Sequence, residues 1–533
     1  MAAFLGAVST RAFVRRQQLT ADAAHFLEET IRSIVGLQSR AIRENPVPLP
    51  RAGSLAATGL SACDPGNGTR ISGIALSVPV PAHIALVGKP EAGARVFAAL
   101  VGGQLEPSAG RLTLGDVDLA AVDPIERARR IAYAGGETVL IPGSLRDNLA
   151  YGCPPGPDLE ARLANAVAVA GLETFVHERG LAGTLDPSRE AHLAAAIVDA
   201  RHAVRRALGA KGIDRLVEPF DHGRYNQHAT IGENLLFGKP IGDTFREENL
   251  ASHPFIRAIL DSEGLTRKLA AIGHSIAVSM VEIFAEIPDG HPLFARFSFF
   301  SSGDRAYFAD LVARHAEWRR SNSARDRERL IGLALRYSES RHRLGLLDES
   351  LQRSLLSARA SFAKMLPLSL QPSIEIYDAS RLCAAASVQD NLLFGRIVFD
   401  QAGAEAAVQA IVAEVLSERS LDADVTRIGM DSPVDPVASD LTSSRRVAID
   451  LVRCLVRQPD IVVVERALDG LPAPQANALV ARLRRALVGR GLLLVTPRIS
   501  DAMEQPPFDA VIRFERGSAS LERAAPKREL EPA

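Results

Sequence analysis

Two glycines, Gly88 and Gly93, lie in the segment "HIALVGKPEAGARVFAAL" with the spacing of a phosphate-binding loop. An apolar run typical of a buried strand precedes them, and an apolar helical pattern follows. Backbone N–H groups at a helix N-terminus can hold a phosphate in such a loop. The loop also needs a lysine and a hydroxyl residue after its second glycine, and this chain has Ala94, Arg95 and Val96 there. Two interpretations remain open: an ordinary turn, or a phosphate loop that has lost its side chains.

The composition limits the class of protein. The chain has 533 residues, of which 47% are hydrophobic, enough for two to four domains with sizeable cores. The net charge of −1 gives no field that would favour nucleic acid. The longest apolar stretches are shorter than the roughly 20 residues that cross a bilayer, and the N-terminus lacks the basic start of a secretory signal. The four cysteines and twelve histidines have no metal-site spacing, so we expect no metal site and a cytoplasmic protein.

The pattern of apolar residues changes along the chain. Residues 14–45 have helical spacing, whereas 71–119 consist of short apolar runs separated by Gly, Pro and Asp, as in strands and turns. Residues 153–385 are rich in Ala, Leu, Arg and Glu and are predicted to be mostly helical. From 446 to 515 helical and extended segments alternate, which favours a parallel α/β sheet.

Three segments of the chain resemble one another: "SLRDNLAYG", "TIGENLLFG" and "SVQDNLLFG". Their common polar residues are Asn148, Asn234 and Asn391. The intervals between these residues are too unequal for a stacked solenoid, so the segments are interpreted as re-used pieces. The alternative is a simple helix start with a hydrophobic staple and a glycine stop.

A longer stretch, "DLTSSRRVAIDLVRCLVRQPDIVVVERALDGLPAPQANALVARL" (440–483), resembles the signature helix and second acidic strand of exporter-type ABC transporter ATPases. In this register Glu465 stands in place of the magnesium-side aspartate and Arg466 in place of the catalytic glutamate. The family's signature positions are held by Leu441, Thr442, Ser443, Ser444 and Arg445. The resemblance implies that Gly88, Gly93, Ala94, Arg95 and Val96 form the former nucleotide loop.

Other family positions are also altered. "GLLLVTPR" resembles the strand before the switch histidine and has Pro497 in its place. The segment 107–152 is similar to the arc that leads to the glutamine loop, with Gly136 in place of the glutamine. No Phe, Tyr or Trp from 55 to 96 can supply the aromatic residue that stacks on adenine.

The resemblance covers 51–152 and 386–522, in the family's order. It implies an α/β, P-loop NTPase-like ABC ATPase sheet domain. A large, mainly α-helical insertion at 153–385 interrupts this domain, as in a bacterial subgroup of fused permease-ATPases. Residues 1–50 would be a helical segment and linker, possibly a remnant of the permease, and 523–533 a tail.

The function implied by this resemblance is that of a degenerate ATP-binding subunit, a pseudo-ATPase. It would work with a transmembrane permease chain or an intact ABC subunit, as a dimer on the inner face of the membrane. ATP and Mg²⁺ binding is expected to be weak or absent. The alternatives are an active ABC ATPase with unusual motif residues and a scaffold unrelated to transport.

Overall fold

The structure is a computed structural model, and it describes residues 48–135, 138–288, 291, 298–314, 323–398, 401–436, 441–503, 505 and 507–524. The helix predicted within 14–45, the residue Gly136 and the tail after 524 lie outside the described residues.

The first part of the chain alternates extended and helical segments. Its strands are β1 (Gly53–Cys63), β2 (Arg70–Val80), β3 (His83–Val87), β4 (Ala109–Leu114), β5 (Val117–Asp118), β6 (Ile131–Ala134) and β7 (Gly143–Ser144). Its helices are α1 (Ala94–Gly102), α2 (Pro124–Arg130), α3 (Leu145–Leu149) and α4 (Leu159–Ala170). The strand-and-turn character predicted for 71–119 is confirmed, with α1 placed after the glycine turn.

The middle part is mainly helical, as its composition predicts. Its helices are α5 (Glu173–Ala182), α6 (Ala191–Ala210), α7 (Ile231–Leu236), α8 (Glu247–Leu250), α9 (Pro254–Ser262), α10 (Thr266–Ile283), α11 (Arg305–Arg314), α12 (Ala324–Leu335), α13 (Glu339–His342), α14 (Glu349–Met365), α15 (Val388–Leu393), α16 (Ala404–Glu418) and α17 (Asp422–Asp431). Four strands of three residues each accompany them: β8 (Val217–Pro219), β9 (Gly238–Pro240), β10 (Ile374–Ile376) and β11 (Gly395–Ile397).

In the last part of the chain, strands and helices alternate again. Its strands are β12 (Pro433–Val434), β13 (Ile461–Val464), β14 (Gly491–Thr496), β15 (Ala510–Glu515) and β16 (Ser518–Ala524), and its helices are α18 (Ser443–Val456) and α19 (Ala473–Ala486). The chain divides into two compact units, one formed by Met1–Thr174 with Pro433–Ala533 and the other by Phe175–Ser432. The domain boundaries at 152/153 and 385/386 stay predictions.

The first unit contains a six-stranded sheet in the order β16-β15-β3-β14-β13-β6. β3 pairs in parallel with β14 and β15, and β13 pairs in parallel with β14 and β6, while β16 is antiparallel at one edge. This confirms the predicted parallel sheet. A second, antiparallel sheet has the order β2-β1-β4-β5. Apolar residues of both sheets and of α1 form one core, which includes Phe97 and Phe514.

The three related segments prove to be one structural element. Each begins a short helix at a hydroxyl cap, Ser144, Thr230 or Ser387. The following asparagine secures the loop before the helix: Asn234, for example, accepts from the N–H of Asn226 and donates to its carbonyl oxygen. Asn148 does the same with Ile141, and Asn391 with Cys383. The hydroxyl start predicted by the simple alternative is present, and the shared asparagine contact is a further feature that this alternative does not predict. The interpretation as re-used pieces stays a prediction.

The second unit contains two of these elements in a crossed arrangement. β8, before the first element, pairs with β11, after the second, and β9 likewise pairs with β10, both antiparallel. The aromatic residues that follow β8 and β10, Phe220 and Tyr377, stack with ring centroids 4.4 Å apart. The strands that flank each element therefore form their backbone hydrogen bonds with the strands that flank the other.

Candidate functional site

The loop between β3 and α1 lies at the carboxyl end of a central strand, the edge where open α/β sheets bind ligands. Residues Pro90–Ala92 form a single 3₁₀ turn, and Gly93 follows with φ at +109°. A Cβ on Gly93 would lie 2.4 Å from Cγ2 of Ile71. Both the backbone conformation and the packing therefore require glycine at this position.

The side chains that follow Gly93 differ in character. Ala94 and Val96 are buried in the apolar core of the first unit, at 1% and 2% exposure. Arg95 is partly exposed, and its Nη2 lies 2.8 Å from Oδ2 of Asp469. Of the three residues that begin α1, only Arg95 therefore brings a charged group to the loop.

Asp469 was missed in the sequence, because the register gives its position no charged role. It lies in the turn between β13 and α19, and its N–H donates to the carbonyl oxygen of Arg466. The signal that could have found it is an acidic residue four positions after Glu465, in the turn that follows a strand parallel to β14. The ion pair joins the loop to this turn.

Glu465 directly follows β13 and is half-buried. Its backbone N–H donates to the carbonyl oxygen of Ala134, and its side chain packs on Gly135, where an added Cβ would approach Oε2 to 2.9 Å. Burial raises the pKa of Glu465 to about 7, although Arg95 and Arg466 favour its charged form. Arg466 itself is exposed.

Two further predicted positions occupy the same edge of the sheet. Pro497 follows β14 and is exposed, with no side-chain donor or acceptor. Gly136, in the place of the family's glutamine, lies outside the described residues. The structure thus brings Arg95, Glu465 and Asp469 together, and Pro497 belongs to the adjacent strand end.

The signature positions begin α18. Leu441 is buried, and Thr442 caps the helix by accepting from the N–H of Arg445 at 3.4 Å. Ser443 and Ser444 are exposed. Further along α18, Asp450 accepts from the N–H of Gly135 at 3.2 Å, so this helix is tied to the segment on which Glu465 packs.

About a fifth of the chain is similar in sequence to curated transport proteins. No family model matches the chain. The ATP-dependent lipid A-core flippase of Chromobacterium violaceum is 37% identical over 120 residues, 21% of this chain and 20% of that protein. The flippase of Methylococcus capsulatus is 28% identical over 128 residues, 22% of this chain and 21% of that protein. This chain is related to ABC exporters.

Similar stretches also occur in eukaryotic transporters. Antigen peptide transporter 2 of Mus musculus is 32% identical over 105 residues, 18% of this chain and 15% of that protein. The chain thus spans about a fifth of the length of the flippases it matches. Among solved structures, a bacterial Atm1-family ABC exporter with ATP bound aligns with a TM-score of 0.35 and 10% identity, covering 90% of this chain and 40% of that chain.

Neither a membrane-spanning helix nor a cluster of metal-binding side chains is present among the described residues. Within those ranges, none of the helices is both long and apolar enough to cross a membrane. Over the same residues, no group of three or more His, Cys, Asp and Glu side chains is arranged to hold a metal ion.

Proposed function

We propose that this chain is a degenerate nucleotide-binding subunit of an ABC-type transporter, a pseudo-ATPase that works with a membrane-embedded partner. The observation that carries the proposal is the pair of Arg95 and Asp469 at the loop of a chain related to ABC exporters. An arginine already bound to a carboxylate stands where the family's loop carries its hydroxyl. The lysine before it is replaced by Ala94, which is buried.

The loss of hydrolysis follows from the side chains at the strand ends. Arg466 cannot accept a proton from water, so a general base worth about 10²–10⁴ in rate is missing. Pro497 has no group to position water. Loss of the loop lysine removes charge-assisted contacts worth about 1.5–3 kcal/mol each, which weakens ATP binding by tenfold or more.

The proposed partner is a transmembrane permease chain or an intact ABC subunit. In the family that this chain resembles, the signature segment of one subunit completes the nucleotide site of another subunit. Thr442 retains a hydroxyl at the start of α18, so this chain can supply that segment although its own loop is degenerate. We place the protein on the cytoplasmic face of the membrane, as a dimer, without a nucleic-acid partner.

The test is purification of the full chain from detergent-solubilised membranes of its source cells. The expected result is a stoichiometric integral membrane protein with intact ABC motifs, and ATPase activity of the complex that falls on Thr442→Asn. This variant keeps a helix cap, so α18 persists. Ser323→Asn is the matched control: it makes the same kind of change at an exposed helix cap, that of α12, away from the signature segment, and leaves the activity unchanged.

Absence of any membrane protein from the purified material contradicts the proposal and favours a scaffold unrelated to transport. If Thr442→Asn leaves the ATPase activity of the complex unchanged, only the proposed role of the signature segment is contradicted.

A second function is supported by Glu465, the half-buried carboxylate at the end of β13 that interacts with Arg95. In this alternative the chain is an active ATPase with unusual residues, and Glu465 accepts the proton of the attacking water. The purified chain then releases phosphate from ATP, and Glu465→Ala abolishes the release. Glu173→Ala, at the exposed start of α5 and outside the loop, preserves it. Release that is unchanged in Glu465→Ala comes from a contaminating ATPase.

A further inference from the structure

The residues at the loop do not fit the magnesium ion that the family resemblance implies. Mg²⁺ requires hard oxygen ligands in near-ideal octahedral geometry. The position of the loop hydroxyl is occupied by Arg95, a permanent cation, and the nearby carboxylate of Asp469 is already paired with it at 2.8 Å. A divalent cation at this place would meet a guanidinium where it needs an oxygen.

The remaining acidic group does not restore the site. Glu465 interacts electrostatically with the guanidinium groups of both Arg95 and Arg466. The carboxylates of Asp469 and Asp64 act against these two positive charges, so binding of an anion depends on the guanidinium groups as hydrogen-bond donors and not on an excess of positive charge. Arginine is suited to this role, because its planar fork can donate two hydrogen bonds to one phosphate.

We propose that this loop binds a nucleoside triphosphate or another polyphosphate in its metal-free form, with the Arg95 guanidinium in the place of the magnesium ion. This inference rests on the proposed function, since it assumes that the loop still receives phosphate. The first-turn N–H groups of α1 add the usual attraction of a helix N-terminus for anions. Asp469 acts as the internal competitor, because it occupies the guanidinium that the ligand must use.

The competition gives a direct prediction for two variants. Asp469→Asn frees the Arg95 guanidinium, so metal-free ATP binds more tightly by about three- to tenfold. Arg95→Ser removes the guanidinium and supplies a hydroxyl, so binding of metal-free ATP falls by about tenfold or more. In Arg95→Ser, added Mg²⁺ then improves binding instead of weakening it.

A matched control pair exists in the same unit. Arg130 and Asp460 form an ion pair at 2.6 Å whose side chains are 26% and 28% exposed, close to the 25% of Arg95. Asp460→Asn and Arg130→Ser remove comparable charges away from the loop. Neither is expected to change the affinity for ATP.

The experiment is isothermal titration of the full chain with ATP and, separately, with inorganic triphosphate, in EDTA and in excess Mg²⁺. The expected result is binding of both ligands in EDTA that is as tight as or tighter than in Mg²⁺, with the variant effects given above. Thermal unfolding of each variant without ligand verifies that it is folded, and the wild-type comparison stands without any variant.

Binding that requires Mg²⁺ overturns this inference and leaves the proposed pseudo-ATPase role intact. Absence of binding under both conditions also overturns this inference. The proposed function is then tested only by whether a membrane protein is purified together with the chain. Affinity in EDTA that is unchanged by both Arg95→Ser and Asp469→Asn places the ligand elsewhere and contradicts the assignment.

Discussion

Arg359 on α14 donates from Nε to the backbone carbonyl oxygen of Asn234, at 2.7 Å, and from Nη2 to its side-chain Oδ1, at 2.8 Å. The same two bonds join Arg201 to Asn391 and Arg453 to Asn148. All six residues are buried. A buried arginine therefore contacts each of the three related elements, and oxygen atoms of the element accept hydrogen bonds from its guanidinium.

This arrangement predicts that Arg359→Lys destabilises the second unit by about 2–4 kcal/mol. A lysine cannot form the fork, so the buried Oδ1 and backbone carbonyl oxygen of Asn234 cannot both keep their bond to residue 359. Urea unfolding monitored on the full chain measures the change in the transition of this unit. Arg257→Lys, at an exposed position on α9, changes stability by no more than about 0.5 kcal/mol. Equal stability of the two variants would contradict a structural role for the fork.

Replacement of Gly93 by alanine is predicted to destabilise the first unit by about 2–3 kcal/mol. The positive φ disfavours any Cβ, and this Cβ would also meet Ile71 at 2.4 Å. Gly489→Ala separates the two causes, because Gly489 also has a positive φ, +77°, but nothing lies within 4 Å of its Cβ position. Thermal unfolding that ranks the two variants equally would exclude the clash with Ile71.

The pH dependence of stability gives a further test at Glu465. Its pKa rises from 4.5 to about 7 on folding, so the fold favours the protonated form. This contribution is complete below pH 4.5 and is lost as pH rises through 7. Glu465→Gln stays neutral and is therefore predicted to be more stable than wild type at pH 8, by about 1–2 kcal/mol after solvent screening, with little difference at pH 4.

The charged groups that face Glu465 are Arg95, Arg466, Asp469 and Asp64. Glu522 contributes to stability with the opposite pH dependence, because its hydrogen bond with Arg513 lowers its pKa. Glu522→Gln is thus expected to lose stability towards neutral pH. A Glu465→Gln profile parallel to wild type between pH 4 and 8 would refute the raised pKa.

The cysteines are predicted to differ in their reaction with a thiol reagent. Cys63 is exposed, whereas Cys383 and Cys454 are buried and burial raises the pKa of each thiol to about 12. Mass spectrometry after brief labelling of the folded chain should find Cys63 modified and the two buried residues intact. In urea, Cys454 reports the opening of the first unit and Cys383 that of the second. Early modification of Cys383 without denaturant would disprove its burial.

The sequence predicts the local elements well and the long-range contacts poorly. β3, α1, β13, α18 and β14 follow from apolar patterns within a few residues, so each lies where expected. The pair of Arg95 and Asp469 joins positions 374 apart in the chain, and no periodicity contains that information.

The shared asparagines show the same difference between local features, which the sequence predicts, and long-range contacts, which it does not. Comparison of the chain with itself identifies Asn148, Asn234 and Asn391. Nothing in those segments indicates which arginine each asparagine contacts. The partner of Asn391, Arg201, lies 190 positions before it on another helix. The predicted site was correspondingly incomplete: Arg95 and Glu465 were recognised by register, whereas Asp469 needed three-dimensional contacts.

The crossed strands of the second unit have a consequence during synthesis. The segment before Asn234 pairs with residues up to Ile397, and Arg201 meets its partner only at Asn391. A nascent chain that has left the ribosome as far as residue 370 therefore exposes the Arg201 guanidinium without its acceptors, which lie between Asp378 and Asn391, and β8 without its neighbour β11. Contacts of such long sequence separation form slowly. We expect the nascent middle segment to remain incompletely folded, and open to chaperones, until residue 397 emerges.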